Sequence, residues 1–224
     1  MSLARQHYLR KTAAVANPTA AASPIYANAY ELQLIALADA KRALKQVQSV
    51  ERKAEVKRRV LPQFQDWIAG VLEAGKPGQD DVLMTCMVWQ IDVGDFDAAL
   101  KSAAHALAHG LTLPDQYKRD VSTLVAEEIA EQSLTALVSG RQVDLQSLAE
   151  ADRLTASRDM PDEVRAKLHK ALGLGYLAAA ALDSAVPSRL DMERAEHHLQ
   201  RAIRLEPRIG VKKELERLRR ALKP

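Results

Sequence analysis

Apolar residues return at intervals of three and four along most of this chain, and that rhythm limits the fold more than anything else in the sequence. Leu37, Ala40, Leu44, Val47 and Ala54 fall on one stripe of a helix, and Phe64, Trp67, Ile68, Val71 and Leu72 fall on another. A helix of 3.6 residues per turn can bury such a stripe, whereas a strand, whose side chains alternate between faces, cannot. Composition points the same way. Hydrophobic residues make up 47% of the 224 but aromatics only 4%, Ala and Leu are prominent, and β-branched runs are few. An all-α chain is expected, built of antiparallel helical hairpins and long enough to bury a core unaided.

Breaks in the rhythm divide it into elements. A short helix near the N-terminus precedes Asn17-Pro18 and Ser23-Pro24, which mark a connection. One long helix is expected from about Tyr30 to just before Pro62, and a second from about Gln63 to Glu73, stopped by Gly75-Lys76-Pro77-Gly78. Asp80 and Asp81 open the next, where carboxylates suit a helix N-terminus. Gly94-Asp95 turns the chain into a helix from Asp97 to His109, which Gly110 to Pro114 ends. Further helices are expected from about Tyr117 to Val138, Leu145 to Ala156, Pro161 to Leu182, Leu190 to Leu205 and Val211 to Leu222. The expected organisation is a flexible basic arm over residues 1–28, a basic hairpin over 29–75, and a helical-repeat-like domain over 76–224. The repeat is weak: Ala99, Ala103, Ala106 and Leu111 match Ala195, Leu199, Ala202 and Pro207 in spacing, a pattern similar to the second helix of a tetratricopeptide pair in the middle and C-terminal parts.

Charge is distributed unevenly. Residues 1–61 hold 11 Lys/Arg against 4 Asp/Glu, residues 62–164 hold 7 against 18, and residues 165–224 hold 14 against 7. Basic ends around an acidic middle suit contact with a polyanion, and equally suit solvated helix faces. The strongest basic set is on the first long helix, where Lys45, Arg52 and Arg59 recur every seven residues and Lys41, Arg42, Lys53, Lys57 and Arg58 broaden the face. These eight are the candidate DNA-binding residues. A basic helix of this kind can contact backbone phosphates, but no recognition-helix motif assigns base readout to particular side chains, and a solvated outer face of an oligomerising hairpin fits the same pattern. Lys212, Lys213, Arg217, Arg219 and Arg220 form a second set, interleaved with Glu214 and Glu216 in i,i+4 register, and are the candidate partner-docking residues.

Other chemistries find little support. Cys86 is the single cysteine, excluding an internal disulfide and a Cys-based zinc site, and suits a reducing compartment. The longest nearly apolar stretch, Ala171 to Leu182, falls short of the roughly 20 residues a membrane span needs, so no membrane partner is expected. Gly75-Lys76-Pro77-Gly78 lacks the upstream glycine and following Ser or Thr of a phosphate loop, and Gly173-Leu174-Gly175 follows no strand, so ATP binding is not expected. Asp80, Asp81, Asp92, Asp95 and Asp97 are the best cluster for a catalytic magnesium, yet helix capping and turn roles explain them without metal. His105 and His109 share a helix face without a third ligand, and His197-His198 is expected to be surface decoration, so no metal site is predicted.

Several stretches together resemble the small terminase subunit of peduovirus-type tailed phages, a family labelled the terminase endonuclease subunit. They are Val71-Leu72-Glu73, Gly78-Gln79-Asp80-Asp81 to Met84, Trp89 to Gly94-Asp95, Ala98-Ala99-Leu100, then Asp159 through Lys170 and Gly210 through Leu218. The resemblance implies a DNA-packaging protein of the bacterial host cytoplasm. Its implied partners are double-stranded viral DNA, a large terminase subunit that would carry the ATP and magnesium, and further copies of itself in a ring. It brings no catalytic residues with it. Two other readings remain open: that this chain itself cuts DNA, and that it is a tetratricopeptide-like adaptor for peptides.

Overall fold

The computed structural model describes residues 3–15, 24–182 and 188–223, and regular structure among them is helical, with no strand. The elements are α1 (Leu3–Val15), α2 (Pro24–Lys45), α3 (Val50–Val60), a 3-10 turn (Leu61–Phe64), α4 (Gln65–Ala74), α5 (Asp81–Val93), α6 (Phe96–His109), α7 (Val121–Val138), α8 (Leu145–Thr155), α9 (Asp162–Leu182), α10 (Arg189–Leu205) and α11 (Lys212–Leu222).

The long helix expected to reach Pro62 is two helices. Gln46 and Val47 turn their N–H groups back to the carbonyls of Ala43 and Leu44. Ser49 then adopts an extended backbone, and its hydroxyl accepts the Arg52 N–H at 3.3 Å, starting α3 afresh. Pro62 lies inside the 3-10 turn, where its missing N–H costs nothing. The expected arm begins as α1, which lies along α4 with Leu9, Thr12 and Ala13 buried. Gly70 permits that approach, since a Cβ there would sit 2.4 Å from the Arg10 carbonyl oxygen and 2.8 Å from the Ala13 Cβ. Asn17-Pro18 and Ser23 lie outside the described residues.

Two compact units result, Met1–Val121 and Ser122–Pro224. The division falls at the start of α7, so α5 and α6 belong to the first unit with the N-terminal helices, where a single domain over 76–224 was expected. The cause is α5: every residue from Val82 to Ile91 is buried, and a helix apolar on all sides needs cover from all sides. It receives that cover from α2, α3, α4 and α6. Its N-terminus is fixed by a polar knot. Asp80 accepts the Leu83 N–H at 2.8 Å and the Trp67 indole N–H at 2.9 Å, and the Tyr30 hydroxyl accepts the Asp81 N–H at 3.0 Å while its ring stacks on Trp67.

In the second unit α9 packs against α10, and α11 closes over them through Leu215 and Leu218, in a core that includes Ala195, Leu199 and Val211. Gly173 and Gly175 serve this packing: a Cβ on the first would lie 2.6 Å from the Leu199 Cδ2, and on the second 2.8 Å from the Leu145 Cδ2. The repeated small residues of α6 and α10, Ala99, Ala103 and Ala106 against Ala195, Leu199 and Ala202, are all buried, so the shared spacing records two inward helix faces.

Candidate nucleic-acid interface

The break at residues 46–49 changes the geometry of the eight basic candidates. Lys41, Arg42 and Lys45 stay on α2, while Arg52, Lys53, Lys57, Arg58 and Arg59 sit on α3, so the seven-residue recurrence through Lys45 does not describe one helix. No residue of α3 is buried. Two of its cations tie it down: the Lys57 ammonium meets the Asp92 carboxylate at 2.5 Å, and the Arg58 guanidinium donates to the Val93 carbonyl at 3.3 Å, where it complements the negative C-terminal end of α5. Arg42 pairs with Asp39 on its own helix. Lys45, Arg52 and Arg59 are exposed and Lys53 half-exposed, and none of these four has an ion-pair partner among the described residues. α3 is thus held by its ends and neighbours and presents its remaining positive charge outward.

Beside α3 and α4 lies an open groove of about 920 Å³. Its charged lining is balanced, with Arg10, Arg58 and Lys101 against Asp66, Asp95 and Asp97, so it does not form a positive channel. The acidic residues considered for metal binding have other work. Asp80 caps α5; burial raises its carboxyl above the usual range, opposed by the Leu83 N–H and the Trp67 indole. Asp95 caps α6, Asp92 holds Lys57, and Asp97 holds Lys101 at 2.6 Å. Asp80 and Asp81 stand at one end of α5 and Asp92 at the other, about 18 Å away at the rise of an α-helix. They do not converge on one ion. Cys86 is wholly buried, and burial first, then the charge of Asp80, pushes its thiol up.

The C-terminal candidates form a clear second surface. Lys212, Lys213, Arg217, Arg219 and Arg220 are all exposed on α11, whose other side carries buried Leu215 and Leu218. The expected i,i+4 pairing does not absorb them. Arg219 reaches across to Glu196 on α10 at 2.9 Å, and the other four have no ion-pair partner among the described residues. Arg201, Arg204 and Arg208, exposed along and just beyond α10, extend this charge and were missed. The recurrence of Arg201 and Arg204 in the last turns of α10, with Arg208 just after it, was the available signal.

A third arrangement joins residues far apart in sequence. His169 of α9 and His198 of α10 face each other with their Nδ1 atoms 3.0 Å apart, and Asp152 of α8 offers a carboxylate oxygen; one ligating atom from each lies within 4.8 Å of the others. The expectation of a surface doublet holds for exposed His197 and fails for His198, which packs between the rings of His169 and Tyr176. Burial, then the charge of neighbouring His198, Arg165, Arg201 and His197, lowers His169 to about 3; burial and then His197 lower His198 to about 4. Both rings are neutral at pH 7.

The described helices thus carry two outward cationic surfaces, each backed by an apolar or tethered side. The family model for the phage small terminase subunit matches residues 34–163, more than half the chain, and the chain belongs to that family. It is 45% identical over 227 aligned residues to the terminase, endonuclease subunit of Escherichia phage P2, covering 100% of this chain and 86% of that protein. It is 26% identical over 200 residues to the probable terminase, endonuclease subunit of Haemophilus phage HP1, covering 86% and 70% respectively. No solved structure matches. The function is that of a terminase small subunit, which binds viral DNA for packaging and recruits the large subunit. Among the described residues no helix is long and apolar enough to cross a membrane.

Proposed function

We propose that the outward face of α3, with Lys45 at the end of α2, grips the phosphate backbone of viral DNA through Lys45, Arg52, Lys53 and Arg59, and that the α11 surface docks the large subunit. The observation that carries the first half is that α3 turns Arg52, Lys53 and Arg59 outward with no ion-pair partner among the described residues, while Ser49 caps it and Lys57 and Arg58 tether it. Ala54, Val56 and Val60 make the half-buried side of α3, which covers α5, so the charged face opposite is free to serve a partner. Lys57 and Arg58, counted with the others in the sequence, position the helix instead. The α11 surface suits a protein partner because a buried apolar side fixes its orientation while Lys212, Lys213, Arg217 and Arg220 remain free for carboxylates.

Replacing Arg52 and Arg59 together by Glu should weaken duplex DNA binding at least tenfold while leaving the helical circular dichroism unchanged. Lys213→Glu with Arg217→Glu should leave DNA binding alone and abolish co-purification with the large subunit. The reverse pattern would exchange the two assignments.

In this reading the chain works as a ring in the host cytoplasm, with Leu32 and Ile35, 58% and 59% exposed on α2, as the apolar contact between copies, and the large subunit holds ATP and magnesium. Because both relatives are named endonuclease subunits, a second reading gives the cutting chemistry to this chain itself. The dispersal of its α5 and α6 carboxylates favours the first. Incubating the purified chain alone with packaging-site DNA and magnesium separates them: intact DNA supports the binding role, and cleavage supports the nuclease.

A further inference from the structure

We propose that Asp152, His169 and His198 form a zinc site that clamps α8, α9 and α10 together. The geometry is close to what the ion requires. Two imidazole nitrogens bound tetrahedrally at about 2.0–2.1 Å from zinc stand about 3.3 Å apart, and the two Nδ1 atoms already lie 3.0 Å apart. One ligating atom from each of Asp152, His169 and His198 lies within 4.8 Å of the others, so side-chain adjustments of up to about 1.5 Å bring three ligands to the spacing of about 3.3 Å that a tetrahedral ion requires.

Without an ion this meeting of nitrogens is awkward. Two bare Nδ1 atoms repel, and two Nδ1–H groups collide, so one proton must lie between the rings and the tautomer of one ring dictates that of the other. A metal replaces that proton, and the displaced hydrogen moves to the Nε2 of the same ring, so no net charge is taken up or released by the imidazoles.

The surroundings act as an outer shell. Arg165 lies 4.0 Å from the Asp152 carboxylate and is anchored by the carbonyls of Thr155 at 2.8 Å and Arg158 at 2.9 Å, so it orients the carboxylate without occupying it fully. Tyr176 stacks on His198 with ring centroids 5.8 Å apart, fixing the plane of that imidazole. Two nitrogens and one oxygen select zinc over magnesium or calcium, which take oxygen ligands. The fourth position is left to water. Because α10 carries α11, an ion here would set the orientation of the C-terminal basic surface, which makes it a different kind of site from a nuclease magnesium.

The test uses the full chain, stripped with a chelator and titrated with zinc chloride by calorimetry, then with cobalt chloride by visible absorption. The proposal expects one zinc per chain, a four-coordinate cobalt spectrum, and a higher melting temperature with zinc. His198→Gln and Asp152→Asn should each weaken zinc at least tenfold and remove the cobalt spectrum, whereas His109→Gln should change neither. Wild-type binding equal to that of His198→Gln, or binding lost in His109→Gln, overturns it. Should His169→Gln fail to fold, His198→Gln decides, since that ring is partly exposed and its loss leaves the α9–α10 core intact.

Discussion

At the scale of single residues, stability depends on a few polar atoms placed where burial makes them consequential. Asp80 is the clearest case, because it caps α5 and receives the indole N–H of Trp67, a residue only 1% exposed. Asp80→Ala removes a cap worth about 1 kcal/mol and leaves a buried donor unpaired at about 1–3 kcal/mol, so a loss of about 2–4 kcal/mol in chemical denaturation is expected. His105 gives a pH dependence. Burial, then the charge of His109 beside it, lowers its pKa below the ordinary 6.5, and its Nε2 has no hydrogen-bond partner among the described residues. The unfolded chain therefore takes the proton first as pH falls, so the contribution of neutral His105 is full above about 6.5 and declines below it. The buried carboxyl of Asp80 has the opposite sign: its pKa is raised, so folding binds its proton more tightly and is favoured as pH falls toward the usual carboxylate range. His169 and His198, lowered to about 3 and about 4, act in the same direction as His105, so melting temperatures between pH 7.5 and 5 should fall, and His105→Gln should fall less steeply than wild type.

Elements are where the sequence could be read best and where its limits are sharpest. Helices bounded by strong punctuation, such as α5 between Asp80 and Gly94 or α6 between Asp95 and Gly110, lie within a residue of expectation because caps and left-handed glycines are local signals. The break between α2 and α3 contains neither Gly nor Pro; only Glu51, which interrupts the apolar stripe between Val47 and Ala54, and Ser49 ahead of it marked the restart. Gly70 was equally silent, since nothing local says that a distant helix will press on it. Gly70→Ala gains about 1 kcal/mol of helix propensity but places a methyl 2.4 Å from backbone that cannot rotate away. Overpacking of that kind costs about 1–3 kcal/mol or more, so the substitution should destabilise on balance. Limited proteolysis should show α1 released before the rest of the first unit unfolds.

For the whole molecule, the basic ends and acidic middle read from the sequence become two cationic surfaces, α3 with the end of α2 in the first unit and α10–α11 in the second. The family, the all-α class and the candidate basic residues were legible, because helical periodicity and charge are written along the chain. Which cations are spent on tethers was not, since Lys57 meets Asp92 and Arg58 meets Val93 only once α5 is in place, 35 residues away. The meeting of His169 with His198, 29 residues apart, was hidden for the same reason. DNA gripping by α3 is tested most directly by measuring duplex affinity across a range of salt for the wild type and for a Lys45→Ala, Arg52→Ala, Arg59→Ala variant. Each lost phosphate contact should reduce the slope of log affinity against log salt by about 0.9, so the variant's slope should be shallower by about 2–3. An unchanged slope with unchanged affinity would contradict the account.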